Sequence, residues 1–224
     1  MDITVDFQED VALIKMDDGK LNVITRDAME QLHAALDKAD ADSRAIVLAG
    51  RPGSFCAGFH LPTMTGPPKG AAELGNAGGE FALRLWQSRK PLFAACTGHG
   101  FTIGAIWMAC CDTRIGEEGE FQLGLLETRM GLGLPNWALI PLRERIIASE
   151  WIPSVVQSRM YDPTGALRAG LLDELVAPGQ SIDRACELAA EFAAFPGDGY
   201  GATKQKLRAG TAELFRQDLE PPRD

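Results

Sequence analysis

The chain has little of what metal centres and disulfide frameworks are built from. Its three histidines, His33, His60 and His99, share no metal-ligand spacing, so no metal is expected. Five cysteines, an odd number that includes the adjacent Cys110 and Cys111, follow no regular pattern and fit a reducing compartment. Basic residues are in deficit: 22 Lys and Arg face 31 Asp and Glu, a formal charge of −9. With no basic stripe, nucleic acid and anionic membranes are poor partners. No apolar run approaches the length of a bilayer span, and residues 1–6 are acidic without an apolar signal core. These absences predict a soluble, cytoplasmic protein.

What is present suffices for one sizeable core: 224 residues, 46% of them apolar. Residues 3–7 and 11–16 alternate in part and read as an antiparallel pair. Thr25 is placed to cap a helix carrying Met29, Leu32, Leu36 and Ala39 and ending near Ala41. The short apolar run Ala45–Ala49 reads as a buried strand. Residues 62–79, rich in Pro, Gly, Ala and Thr, read as a mobile loop, followed by a helix over 80–88. A second buried strand over 92–97 leads into a helix over 105–110 that is apolar on every side. Further on, helices are expected at 137–147, 150–160 and 163–168, the last closed by Gly170, then a strand over 172–176. Ser181 is the expected N-cap of a helix reaching Phe195, and residues 200–215 form the last helix.

Two stretches stand out chemically. Gly53-Ser54-Phe55-Cys56-Ala57-Gly58-Phe59-His60-Leu61 follows the first buried strand, and Gly98-His99-Gly100-Phe101-Thr102-Ile103-Gly104 follows the second. Each is a strand running into glycine turns, which leave backbone N–H groups without local acceptors. The second opens a helix whose positive dipole end adds to its donors near Ile103 and Gly104. Amides held rigidly in this way can stabilise a developing oxyanion.

These two stretches, with Leu21-Asn22-Val23-Ile24 before them, the segment from Lys90-Pro91 to Asp112, and residues 166–176 after them, resemble the crotonase, or enoyl-CoA hydratase/isomerase, superfamily. The resemblance implies an α/β fold, a ClpP/crotonase ββα superhelix with a helical C-terminal region. Residues 1–176 would form the core with the acyl-CoA site, and residues 177–224 would pack over the site or a neighbouring subunit in a homotrimer or hexamer. It implies a thioester oxygen held by the Phe59 and Ile103 amides. CoA would lie along Leu21, Val23 and the backbone of Ala57, Gly58, His60 and Leu61, with Leu61 near the adenine and Gly104 lining the site. Lys204 would meet CoA phosphates. CoA enters as part of the substrate, and no separate cofactor is implied.

Hydratases of this family use two glutamates. Ile106 occupies the first position, and an isoleucine transfers no proton. Glu127, four residues before Gly131, occupies the second, with Leu126 where the family usually has Asn or Pro. Leu123, Leu125, Leu126 and Met130 predict an apolar surround that raises its pKa toward a useful range. One carboxylate suits proton shuttling, so the expected activity is 3-enoyl to 2-enoyl-CoA isomerisation. The alternatives are hydration, decarboxylation or carbon–carbon cleavage of another thioester, and binding of acyl-CoA without turnover. His60 and His99 would touch substrate or pack locally, and Cys56 reads as a small buried hydrophobe rather than a nucleophile.

Overall fold

The computed structural model describes residues 1–219. Strands β1 (Asp2–Gln8) and β2 (Val11–Asp17) pair antiparallel, as their alternation predicts. The short β3 (Val23–Ile24) leads into α1 (Arg26–Asp42), where the Thr25 hydroxyl accepts from the Ala28 amide at 3.2 Å and supplies the expected cap. Then come β4 (Ala45–Ala49), β5 (Gly53–Cys56), β6 (Gly58–Phe59), a single helical turn α2 (Leu61–Met64) and α3 (Pro68–Gln87). The same plan repeats in β7 (Leu92–Cys96), β8 (Gly98–Phe101) and α4 (Ile103–Cys110), followed by β9 (Thr113–Glu117) and β10 (Leu123–Gly124). Helices α5 (Asn136–Arg145) and α6 (Pro163–Ala169), strand β11 (Glu174–Val176), and helices α7 (Ser181–Ala193) and α8 (Gly199–Gln217) follow.

The strands form a six-stranded sheet in the order β1-β2-β4-β7-β9-β11, a three-stranded sheet β10-β8-β5, and the pair β3-β6. From β2 onward all pairing in the large sheet is parallel. Both of its faces are covered, which is why β4 and β7 read as unbroken apolar runs instead of alternating. Ile46, Leu48, Leu92 and Ala94 face the main core with α1, α3 and α4, whereas Val47, Ala49, Phe93 and Ala95 meet Ala185, Ala189 and Ala193 of α7. Helix α8 packs on α3 and α5, burying Phe215 against the Trp86 ring with centroids 5.6 Å apart.

Three expectations need correction. Residues 68–79 are helical: α3 starts on Pro68, where a proline is tolerated because its missing N–H has no intrahelical acceptor, and continues unbroken to Gln87. Its glycines serve close packing. A Cβ on Gly78 would fall 2.4 Å from Phe59 Cζ, and one on Gly79 would fall 2.8 Å from the Trp137 ring. The segment 150–160 is not one helix but a 3-10 turn at Ala148–Glu150 and a wide helical turn at Ile152–Val156, ended by Ser158 with φ 51°. Ser181 is the first residue inside α7 rather than its cap, because its hydroxyl is committed to the buried Glu117 carboxylate at 2.6 Å.

Candidate active site

Three close approaches bring the two glycine turns together. The Asn22 side chain, fully buried, donates to the carbonyls of Met16 (2.8 Å), Ser54 (3.3 Å) and Phe55 (3.1 Å), tying the β2–β3 loop to β5. Gly58 has φ 102° and leaves no room for a side chain, since a Cβ there would lie 2.4 Å from the Thr102 hydroxyl. Gly104 lets α4 pass directly over Cys56, 2.7 Å from its own would-be Cβ to Cys56 Cβ. The start of α4 is thereby pressed against the β5–β6 segment.

The backbone donors follow from this arrangement. The His60 amide donates to the Ile24 carbonyl at 2.8 Å, and successive amides of an extended chain point to opposite sides. The Phe59 N–H is therefore turned away from β3. In α4 the first i−4 bond runs from the Ile106 amide to the Thr102 carbonyl at 3.1 Å, so the amides of Ile103, Gly104 and Ala105 precede the ladder. Thr102, the N-cap, has φ 50° and ψ −117° and does not cap with its side chain. A β-branched residue in that region carries backbone strain on the order of 1–3 kcal/mol.

Glu127 stands on the opposite wall, at the start of the 3-10 turn Thr128–Met130. Its carbonyl accepts from the amides of Met130 and Leu132, both at 2.9 Å, and Gly131 closes the turn with φ 74°. Its Oε2 is buried without a hydrogen-bond partner. Burial raises the carboxyl pKa, partly opposed by its own amide and that of Leu126. A protonatable group that is desolvated, fixed and unpaired is suited to general acid–base work.

Between these walls lies a cleft of about 440 Å³. Ala57, Gly58, Phe59 and Leu61 form one side; Leu126, Glu127, Met130 and Leu132 another; Thr102 and Ile106 lie at the start of α4, with Ala72, Gly75 and Asn76 of α3 and Trp137 of α5 completing it. Asp218, the other carboxylate at the cleft among the described residues, is exposed and accepts from the Asn136 amide. A larger hollow of about 780 Å³ lies beside β1 and β2, but its Arg51 and Asp17 are already paired at 2.9 Å.

The sequence matches the enoyl-CoA hydratase/isomerase family model over residues 6–220. The chain belongs to the enoyl-CoA hydratase/isomerase family. Human mitochondrial enoyl-CoA delta isomerase 1 is 30% identical over 207 residues, which cover 90% of this chain and 68% of that protein. A Mycobacterium tuberculosis enoyl-CoA isomerase structure superposes with a TM-score of 0.91 and 31% identity, covering 97% and 95% of the two chains. An enoyl-CoA hydratase from Mycobacterium ulcerans gives 0.92 and 32%, covering 97% and 96%. The crotonase fold and an enzyme of isomerase or hydratase type follow, with a CoA thioester as the consistent substrate class. Among the described residues no helix is long and apolar enough to cross a membrane.

Most residues expected from the family resemblance gather at the cleft. Phe59, Ala57, Gly58, Leu61 and Glu127 line it, Ile103 and Gly104 open α4 beside it, Val23 pairs with Gly58 in the β3–β6 ladder, and Leu21 precedes β3, its carbonyl accepting from the Ala57 amide at 3.0 Å. His60 is set apart from the cleft lining, its Nδ1 2.9 Å from the Thr63 hydroxyl at the start of α2. His99 accepts from the Gln122 amide at 3.0 Å, a local packing role. Cys56 is buried, its thiol pushed up to about 12 by desolvation, and is no nucleophile.

Lys204 departs from expectation. Its ammonium is buried, donating to Asp112 Oδ2 at 2.6 Å and to the Lys90 carbonyl at 2.9 Å, and burial lowers its pKa. It has no place in the cleft lining and is committed to its own chain. Sequence reasoning does not show the α3 wall of the cleft. The α3 glycines point locally to a loop, and the residues that pack against them are distant in sequence.

Proposed function

We propose that this family member is a 3-enoyl to 2-enoyl-CoA isomerase in which Glu127 is the single acid–base group. The observation that carries the reading is the buried, unpartnered Oε2 of Glu127 in a cleft where Ile106 presents only hydrocarbon. The isomerase name of the human relative supports the same choice.

In this mechanism the thioester carbonyl oxygen lies between the Phe59 and Ile103 amides. Ionised Glu127 removes a proton from C2, and the electron pair left behind delocalises through the C3–C4 double bond and onto the oxygen. The two amides stabilise that charge, each worth about 3 kcal/mol where such donors have been removed elsewhere. Glu127, now protonated, returns the same proton to C4 as the C2–C3 double bond forms. No atom is gained or lost, and the carboxylate is regenerated. The apolar surround of Ile106, Leu126 and Leu132 keeps the carboxyl basic enough for the first step and leaves it protonated for the second.

The test is incubation of purified protein with 3-enoyl-CoA and 2-enoyl-CoA of several chain lengths, with products identified by mass and chromatographic position. Conversion between the isomers at unchanged mass, lost in Glu127→Gln, is the expected result. A product heavier by one water marks a hydratase, loss of carbon dioxide from a carboxylated thioester marks a decarboxylase, and binding without any product marks an acyl-CoA binder. Each of those outcomes displaces the isomerase.

A further inference from the structure

Glu127 rides on a turn that has little to hold it. None of Thr128, Arg129 and Met130 is buried. Among the described residues, one hydrogen bond ties a side chain of residues 125–135 to a distant part of the chain: Thr128 Oγ1 meets Ser158 Oγ at 2.5 Å, from the position next to Glu127. The strand before the turn is docked on the same partner segment. Leu123 and Tyr161 exchange backbone bonds of 2.9 and 3.0 Å, and a Cβ on Gly124 would lie 2.9 Å from the Arg159 carbonyl. Residues 158–161 thus run alongside residues 123–128, and Ser158 holds the end next to the carboxylate.

Ordinary helical packing does not account for Ser158. The sequence predicts a helix over 150–160, yet the chain forms a wide turn at Ile152–Val156 and ends it at Ser158, which is fully buried with φ 51°. That left-handed backbone suits glycine and is uncommon for serine. The departure is braced from within: Tyr161 Oη lies 2.6 Å from Ser154 Oγ and donates to the Glu150 carboxylate at 2.6 Å. Wide helical turns and left-handed residues other than glycine both recur at functional sites. What gives them a function here is the partner, since the Ser158 hydroxyl makes its side-chain bond to the neighbour of the carboxylate.

We propose that Ser158 is a positioning residue for Glu127, acting through the Thr128 hydroxyl to fix the turn that carries the carboxylate. The assignment rests on the reading of Glu127 as the acid–base group. A single carboxylate that takes a proton from C2 and returns it to C4 has to stay within reach of both carbons. Freedom to shift therefore costs rate in the chemical step and leaves substrate affinity nearly untouched. The same anchorage keeps the carboxyl desolvated, which is what raises its pKa. Releasing the turn should admit water and bring the acidic limb of the kcat/KM profile down toward the ordinary glutamate range.

The test compares wild type with Ser158→Gly, Ser158→Ala, Thr128→Ala, Thr128→Ser and the double variant Ser158→Ala with Thr128→Ala. Turnover of 3-enoyl-CoA is followed across pH, and a melting curve is taken on each preparation. A second assay follows incorporation of deuterium from D2O into the α position of a saturated acyl-CoA, which requires an enolate but no double bond. Ser158→Gly adopts the left-handed backbone without strain and so separates the hydroxyl from the fold. Ser158→Gly, Ser158→Ala and Thr128→Ala are each expected to lower kcat and the exchange rate about tenfold or more, with KM within about threefold of wild type and the acidic limb moved to lower pH. Thr128→Ser keeps the hydroxyl and is expected to stay within about threefold of wild type in both assays. The double variant is expected to be no worse than the poorer single, because the same bond is lost in each. The proposal is overturned if the three hydroxyl-deleting variants lose stability alone, with kcat and the acidic limb as in wild type. It is overturned equally if the losses multiply in the double variant, or if Thr128→Ser is as poor as Thr128→Ala. Exchange without isomerisation in wild type sinks the isomerase reading while the variants still report on the positioning of Glu127. Neither reaction in wild type, or Glu127→Gln as active as wild type, sinks both.

Discussion

Helix α4 is buried along its whole length, yet its two ends are furnished in opposite ways. At the C-terminal end the carbonyls of Ala109 and Cys111 accept from Arg145, at 3.2 and 2.7 Å, and that of Cys110 accepts from Arg208 at 3.4 Å. Asp112 then accepts from Lys204 at 2.6 Å, Tyr200 at 2.9 Å, Arg208 at 3.1 Å and the Leu92 amide at 2.9 Å. Cations at a helix C-terminus and a carboxylate holding them form a closed structural clamp. At the N-terminal end the amides of Ile103, Gly104 and Ala105 precede the ladder, the Thr102 hydroxyl is orphaned, and Glu127 faces the cleft unpaired. Supplying nearly all partners at one end, Arg208 Nε excepted, while leaving them out at the other is how a fold spends stability on a site, and the clamp holds α4 in place.

Breaking the open end should show in turnover. Glu127→Gln is expected to reduce kcat by about 10²–10⁴-fold, because the proton-transfer group is lost, without loss of fold. Steady-state kinetics alongside a melting curve checks both halves; retained turnover would assign the base elsewhere. Breaking the closed end should show in stability. Asp112→Ala leaves Lys204 and Arg208 buried without their carboxylate, and removing one member of such a cluster costs about 3–5 kcal/mol. Urea denaturation should reveal the shift, with kcat per folded molecule nearly unchanged. A variant as stable as wild type would show that the cluster is no clamp.

How much of this contrast the chain announces in advance depends on how far apart the interacting residues lie. The buried strands Ala45–Ala49 and Leu92–Cys96, the Thr25 cap and the Gly170 closure of α6 are local, and their patterns were readable. Helix α3 was not, because Gly70, Gly75, Gly78 and Gly79 are costly in a helix taken alone, by about 1 kcal/mol each relative to Ala. Phe59 and Trp137, distant in sequence, fill the space that two of them vacate. Glu127 is expected from the family resemblance, four residues before Gly131, whereas its place in the cleft is a tertiary feature. A basic residue on a terminal helix suggests a phosphate contact for Lys204, and only the folded chain shows Asp112, 92 residues away in sequence, beside it.

The junction between α4 and the cradle can be loosened without removing a polar group. Gly104→Ala places a methyl 2.7 Å from Cys56 Cβ and 2.9 Å from the Cys56 carbonyl, and backbone cannot yield as a flexible side chain does. Overpacking of this kind costs about 1–3 kcal/mol. The displaced start of α4 should also carry the Ile103 amide away from Phe59, lowering kcat about tenfold or more. Kinetics and a melting curve on the same preparation separate the two effects. Loss of stability with unchanged kcat would mean that the position of Ile103 relative to β6 is not critical.

The smallest effect, and the one that tests the electrostatics of the open end directly, is on pH dependence. Burial raises the folded-state pKa of Glu127 above the ordinary glutamate value of about 4.3. As a base Glu127 must be ionised, so the acidic limb of the kcat/KM profile should lie above that value, with activity falling as pH drops through it. Stability should move the other way. Between the unfolded and folded pKa values the native state holds a proton that the unfolded chain has released, so raising the pH through this window lowers the stability of wild type. Glu127→Gln removes the titration, and its stability relative to wild type should rise across the same window and stay level below about pH 4. Urea midpoints of both proteins from pH 4 to 8, set beside the kinetic profile, check the pair. A limb in the ordinary carboxylate range with no difference in pH dependence would mean that Glu127 is solvated in solution, and the contrast between the two ends of α4 would then rest on the backbone amides and Thr102.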